Sequence, residues 1–108
     1  RETVLEQAAQ RACAAPVEML EQCARAVELL EQMLEKGSVM LASDVGCGAV
    51  CCRAAMECAA MNVYVNTRTL KNRVVAEALE RKADGLLKEY GARAEAVAGQ
   101  VTAQLRGR

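Results

Sequence analysis

The sequence predicts an all-α chain: a helical bundle of two long helices and one shorter, buried central helix. Three observations predict it. Leu20, Cys23, Val27, Leu30 and Leu34 recur at three- and four-residue spacing, which is one face of a helix. From Val45 to Met61 nearly every side chain is apolar or small, the pattern of a helix covered on all sides. The 108 residues are 53% hydrophobic but only 2% aromatic, so the core must be Leu, Val, Met, Ala and Cys, which suits close-packed helices better than a sheet sandwich. That length allows one domain, residues 1–108.

The first helix is expected from Thr3 to about Lys36. Its seam continues upstream through Leu5, Ala8, Ala9, Ala12 and Ala15, while Glu21, Glu28, Glu31 and Glu35 occupy other faces. Pro16 removes one N–H and crowds the preceding turn, so a kink or break is expected there. Gly37 should close the helix, with Lys36 favourable at the negative end of the dipole. After a short connection, Gly37–Ala42, Ser43 can cap the central helix and Asp44 suits its positive end. Within that helix only Arg53 and Glu57 are charged; four apart, they are expected to pair inside the bundle. Met19, Met33, Met40, Met56 and Met61 read as core filler. Asn62-Val63-Tyr64-Val65-Asn66 reads as a short extended segment, with β-branched and aromatic residues between two Asn.

Thr69 can cap a last helix from about Leu70 to Arg106, its apolar face running from Leu70 and Val74 through Leu86 and Tyr90 to Val101 and Leu105. Gly85, Gly91 and Gly99 each weaken it by about 1 kcal/mol relative to Ala, and a bend near Gly91 is expected. At 1.5 Å per residue the two outer helices reach roughly 50 Å and the central one about half that. Such a set cannot enclose an all-round apolar helix. Partner helices are expected from another copy of the chain, a homodimer first of all, or from sequence upstream of Arg1.

Net charge is zero but unevenly spread: residues 1–36 carry seven Glu against four basic residues, and residues 67–108 nine basic residues against five acids. Either these helices lie side by side or both present solvated faces. The sequence has neither a sustained basic stripe nor an aromatic platform, which argues against nucleic-acid binding. Asp44, Arg53 and Glu57 interrupt the apolar run 39–61, which argues against a membrane span. The six Cys stand at 13, 23, 47, 51, 52 and 58, and there is no His. Cys47, Cys51 and Cys58 share a helix face, as a thiolate cluster requires. The competing reading, buried free Cys acting as small hydrophobes in a reducing cytoplasm, needs no metal.

The string Ser43-Asp44-Val45-Gly46, a small-residue helix, then Ala60-Met61-Asn62-Val63-Tyr64-Val65-Asn66-Thr67-Arg68-Thr69-Leu70-Lys71 resembles the cyclodeaminase–cyclohydrolase family of one-carbon folate enzymes. Ala14-Ala15-Pro16-Val17 and the stretch from Val27 to Gly37 resemble the helix that precedes that motif in the family, so the resemblance covers roughly Arg1 to Arg73. Family chains begin with further helices and a Gly-rich helix start. This chain begins at Arg1 without one, so it is expected to be the C-terminal part of a longer protein, or a processed chain.

The resemblance implies a tetrahydrofolate derivative as substrate and no metal. The reaction is either closure of 5-formiminotetrahydrofolate to 5,10-methenyltetrahydrofolate with loss of ammonia, a step of histidine degradation, or hydrolysis of the methenyl group. Both pass through a tetrahedral carbon between two nitrogens, which calls for a proton-shuttling group and an anion near developing positive charge. Asp44 is the catalytic candidate, with a helix cap as the competing reading. Ser43, Asn62 and Asn66 are substrate-binding candidates, against cap and turn roles. Arg68, Lys71 and Arg73 are candidates for the carboxylates of a folate tail, against a solvated helix start. The alternative for the whole chain is a non-catalytic helical assembly module of the same descent.

Overall fold

The computed structural model describes residues 1–107, with Val39 described by its backbone alone. Four α-helices follow one another: α1 (Glu2–Ala12), α2 (Ala14–Lys36), α3 (Ala42–Thr67) and α4 (Arg73–Leu105), with a 3₁₀ turn at Val39–Leu41. The all-α expectation holds. Short connections make α2, α3 and α4 antiparallel neighbours, and the rod measures 59 × 17 × 16 Å.

The expected first helix is two. Pro16 stands in the first turn of α2, where a missing N–H costs nothing, and the chain breaks just before it at Cys13. Cys13 is fully buried, its thiol directed at the carbonyls of Ala9 and, across the bundle, Val63. This joint sets α1 against the turn between α3 and α4. There the Glu6 carboxylate accepts from the backbone N–H of Lys71 (2.9 Å) and of Asn72 (3.0 Å). Those two amide donors hold the Glu6 carboxyl below its ordinary range.

α3 is longer than expected. At 26 residues it exceeds α2 (23), so it is not the short helix of the bundle. Asn62–Asn66 is not extended but helical. Asn62 Nδ2 donates to the Cys58 carbonyl and Asn66 Nδ2 to the Asn62 carbonyl, each at 2.9 Å. Both amides thus bond back onto their own helix, while Val63 and Thr67 are fully buried, and that burial overrides weak β-propensity. Leu41, not Ser43, is the N-cap residue of α3; Asp44 lies in the first turn, as the dipole favours. α4 starts at Arg73, not Leu70, because Asn72 is the cap: its side chain accepts from the Val75 N–H at 3.2 Å. Thr69 Oγ1 instead donates to the Asn66 carbonyl. α4 runs uninterrupted through Gly85, Gly91 and Gly99.

The core lies along one face of each helix. Its largest fully buried side chains are Leu20, Met56, Val27, Val45 and Val63. Of the five methionines only Met56 is core; Met40, for one, is 89% exposed. Val74 and Leu105, expected on the buried face of α4, are exposed as well. Arg53 and Glu57 pair at 3.5 Å on the surface, not inside, and Arg53 also reaches Glu95 at 3.1 Å.

Within this chain α3 is covered on one face alone. Its other face presents Cys47, Val50, Ala54, Cys58, Met61 and Val65 to solvent at three- and four-residue intervals. Val50, Met61 and Val65 are 57%, 65% and 51% exposed.

The acidic α2 lies beside α4, and acids of the one meet bases of the other. Glu31 takes the Arg93 guanidinium at 3.0 and 2.5 Å, and Glu21 meets Lys82 at 3.0 Å. The guanidinium holds the Glu31 carboxyl down.

Small residues set the approach of α4 to α3. A Cβ on Gly46 would meet Cγ1 of Val101 at 2.7 Å and its Cβ at 3.0 Å. Gly46→Ala gains about 1 kcal/mol of helix propensity but overpacks a stiff β-branched neighbour, which costs typically 1–3 kcal/mol. Urea unfolding should show a net loss of about 1 kcal/mol for Gly46→Ala, and smaller loss in Gly46→Ala/Val101→Ala than the two single variants sum to.

Candidate functional site

The residues singled out in the sequence fall at opposite ends of α3. Ser43 and Asp44 are exposed in its first turn. Asn62, Asn66 and Arg68 lie at its far end, with Lys71 and Arg73 beyond. Twenty-four residues of helix separate Asp44 from Arg68, a rise of about 36 Å. Within one chain no small ligand touches both.

At the Asp44 end a shallow cavity of about 330 Å³ runs between α3 and α4, with Ser43, Cys47, Val50 and Leu105 in its lining. Its walls are mostly apolar.

The far end is more polar. Arg73 turns its guanidinium back onto the end of α3, donating to the carbonyls of Thr67 (2.9 Å) and Leu70 (3.0 Å). It thus ties the last residue of α3 to the turn that follows. Lys71 pairs with Glu2 at 2.6 Å, both side chains largely exposed. Asn62 and Asn66 bond to their own helix, as described above. Arg68 is exposed and lines a groove of about 510 Å³ formed with Met61, Tyr64, Val65, Glu80 and Asp84.

Three of those residues were not singled out in the sequence. Tyr64 donates its hydroxyl to Asp84 Oδ1. One turn away, the buried Thr67 donates to Glu80 Oε2 at 2.6 Å. Partial burial, followed by the Asp84 and Glu80 charges, pushes the Tyr64 phenol up to about 12, so at neutral pH it remains a donor. The available signal was the pair Glu80 and Asp84, four apart and so on one face of α4. What α3 offered that face stayed hidden while Tyr64 was read as part of an extended segment.

Elsewhere, Cys47, Cys51 and Cys58 are exposed and only Cys13 is fully buried, so burial does not explain most of the six thiols. Among the described residues, no three His, Cys, Asp or Glu side chains are grouped to hold a metal ion. No helix of the described residues is long and apolar enough to cross a membrane.

Comparison with known proteins gives two matches. The sequence profile of the formiminotransferase-cyclodeaminase family matches residues 1–85. The methenyltetrahydrofolate cyclohydrolase of Methylorubrum extorquens is 33% identical over 92 residues, which are 85% of this chain and 44% of that protein. The chain thus spans less than half the length of the curated relative it matches.

The geometry separates the two arginines. Arg73→Ala leaves the carbonyls of Thr67, at the end of α3, and of Leu70, in the turn after it, without their charged donor and should lower stability by about 1 kcal/mol. Arg68→Ala, on the surface, should change it by less than about 0.5 kcal/mol. Thermal and urea unfolding of the two variants measure the contrast; equal losses would remove the capping role.

Proposed function

We propose a folate function from one premise: this chain belongs to the formiminotransferase-cyclodeaminase family. The reading is one-carbon folate chemistry at N5 and N10 of tetrahydrofolate, performed by the protein of which this chain is a part, in a reducing cytoplasm. The named relative favours hydrolysis of 5,10-methenyltetrahydrofolate over cyclodeamination. No metal enters the proposal.

In this reading Asp44 handles the proton and steadies the cationic carbon. Arg68 and Lys71 attract the tail carboxylates, and Ser43, Asn62 and Asn66 border the ligand. Arg73 shapes the turn beneath them. These groups act on one ligand if a second copy brings them together, and the exposed stripe on α3 supports that arrangement. It is self-complementary about Ala54: in an antiparallel pair Cys47 meets Met61, Val50 meets Cys58, and Ala54 meets itself. Ser43 and Asp44 then lie opposite Val65 and Tyr64 of the other copy, with the Asp44 carboxylate near the Arg68 guanidinium. The protein is therefore a homodimer with two sites, each drawing on both chains.

Sedimentation tests the assembly. The full-length protein should run as a dimer at micromolar concentration, and Ala54→Glu, which sets like charges face to face at the two-fold, should run as a monomer with unchanged helicity. A compact wild-type monomer at every concentration would sink the dimer.

Turnover tests the chemistry. Asp44→Asn keeps the size and suitability of the side chain for a first turn while removing its proton chemistry. It should lower turnover of 5,10-methenyltetrahydrofolate by about a hundredfold, with the melting temperature nearly unchanged. Unchanged turnover would return Asp44 to a purely structural role. A wild-type protein that consumes neither 5,10-methenyltetrahydrofolate nor 5-formiminotetrahydrofolate favours the non-catalytic assembly module.

A further inference from the structure

We propose that the groove between the last turns of α3 and the first turns of α4 reads the pyrimidine edge of a reduced pterin, with Asp84 and Glu80 as its acceptors. This deepens the folate reading and rests on it.

The chemistry of the lining selects the ligand. Glu80 and Asp84 stand four apart on α4 and border one groove of about 510 Å³. Each accepts one internal hydroxyl, Thr67 onto Glu80 Oε2 and Tyr64 onto Asp84 Oδ1. A carboxylate has about four acceptor positions, so each retains capacity on both oxygens for a ligand. The two internal bonds also hold the carboxylates in place before anything binds, which reduces the ordering cost of binding.

Acceptors held this way suit a ligand that presents neighbouring N–H donors in one plane. The Tyr64 ring with Met61 and Val65 supplies the apolar wall such a flat ring packs on, and both aliphatic residues are more than half exposed. An anion bound at the two acids would be repelled. Arg68 lies in the same groove and attracts a negative group at the ligand's other end. A flat ring with a donor edge, tethered to an anionic tail, is the layout of a folate. Its 2-amino-4-oxopyrimidine edge offers N3–H and the 2-amino group to one carboxylate, in the parallel two-bond geometry that carboxylates form with guanidinium. No bond is made or broken at this end of the ligand, so these are binding residues.

Two half-ligands test it in the full-length protein, by calorimetric titration under reducing conditions: 6-methyltetrahydropterin, which lacks the tail, and p-aminobenzoylglutamate, which lacks the pterin. Asp84→Asn should weaken 6-methyltetrahydropterin about tenfold, the cost of a charge-assisted hydrogen bond, and leave p-aminobenzoylglutamate unchanged. Arg68→Gln should do the reverse. Tyr64→Phe, which frees the Asp84 carboxylate to rotate, should weaken the pterin by a smaller factor. Hydrogen exchange of the wild-type protein gives a reading independent of any variant: 6-methyltetrahydropterin should protect residues 61–68 and 80–84. If wild type binds tetrahydrofolate while the Asp84 and Glu80→Gln variants bind the pterin as wild type does, or if protection is confined to residues 43–50, this assignment falls and the folate reading stands. If wild type binds neither tetrahydrofolate nor either half, the folate reading falls, and this assignment with it.

Discussion

The whole structure depends on how near α4 can come to α3. That nearness is set by small residues on α3: Gly46 lies beneath Val101 of α4, and buried Ala49, Ala59 and Ala60 follow along the helix, while Gly48 admits Leu30 of α2 in the same way. A chain that is 2% aromatic cannot fill wide gaps with rings, so its helices must close the distance instead. Leu, Val and Ala side chains then interlock at short range, and dispersion contacts among many small groups replace a few large ones. The same nearness brings Tyr64 and Thr67 of α3 within hydrogen-bond reach of Asp84 and Glu80 on α4.

Charge works on a second level. Glu21 and Glu31 of α2 meet Lys82 and Arg93 of α4. Arg53 of α3 reaches Glu95. Partly exposed pairs of this kind contribute little stability each. Their value is in register: acids of one helix set opposite bases of the next oppose the slipped and swapped packings that an apolar seam alone would accept. The uneven charge of the sequence resolves only in part into neighbouring helices, because Arg68, Lys71 and Arg106 of the basic segment lie outside α4.

Much of the fold was legible because periodicity is a strong signal over long segments. The seam of α2, the stop at Gly37 and the break at Pro16 each follow from local rules. Two of the misreadings share a cause: local preference yielding to tertiary contacts. Val63 and Val65 favour strands, yet Val63 and Thr67 point into the core and the two Asn amides bond back to the helix, so α3 continues. Thr69 is an adequate cap, but Glu6 already holds the N–H groups of Lys71 and Asn72, which leaves Asn72 to start α4. The site was legible in part. Short motif spacing put Asp44 and Arg68 in one stretch of sequence, while a continuous helix puts them at opposite ends of a rod. The two carboxylates of the groove stand 13 and 20 residues from the hydroxyls they accept, beyond the reach of a local pattern.

The two tyrosines give the molecule a spectroscopic property. The sequence contains no Trp, so its near-ultraviolet absorption and emission come from Tyr64 and Tyr90. Tyr90 sits under the Arg93 guanidinium, 4.6 Å from ring centre to cation, and does not line the groove. Tyr64 stands in the groove with its hydroxyl on a carboxylate. Light from one ring reports the ion-paired flank of the rod, and light from the other reports the groove. Replacing either by Phe leaves a one-chromophore protein whose emission follows a single place in the fold, with no added label.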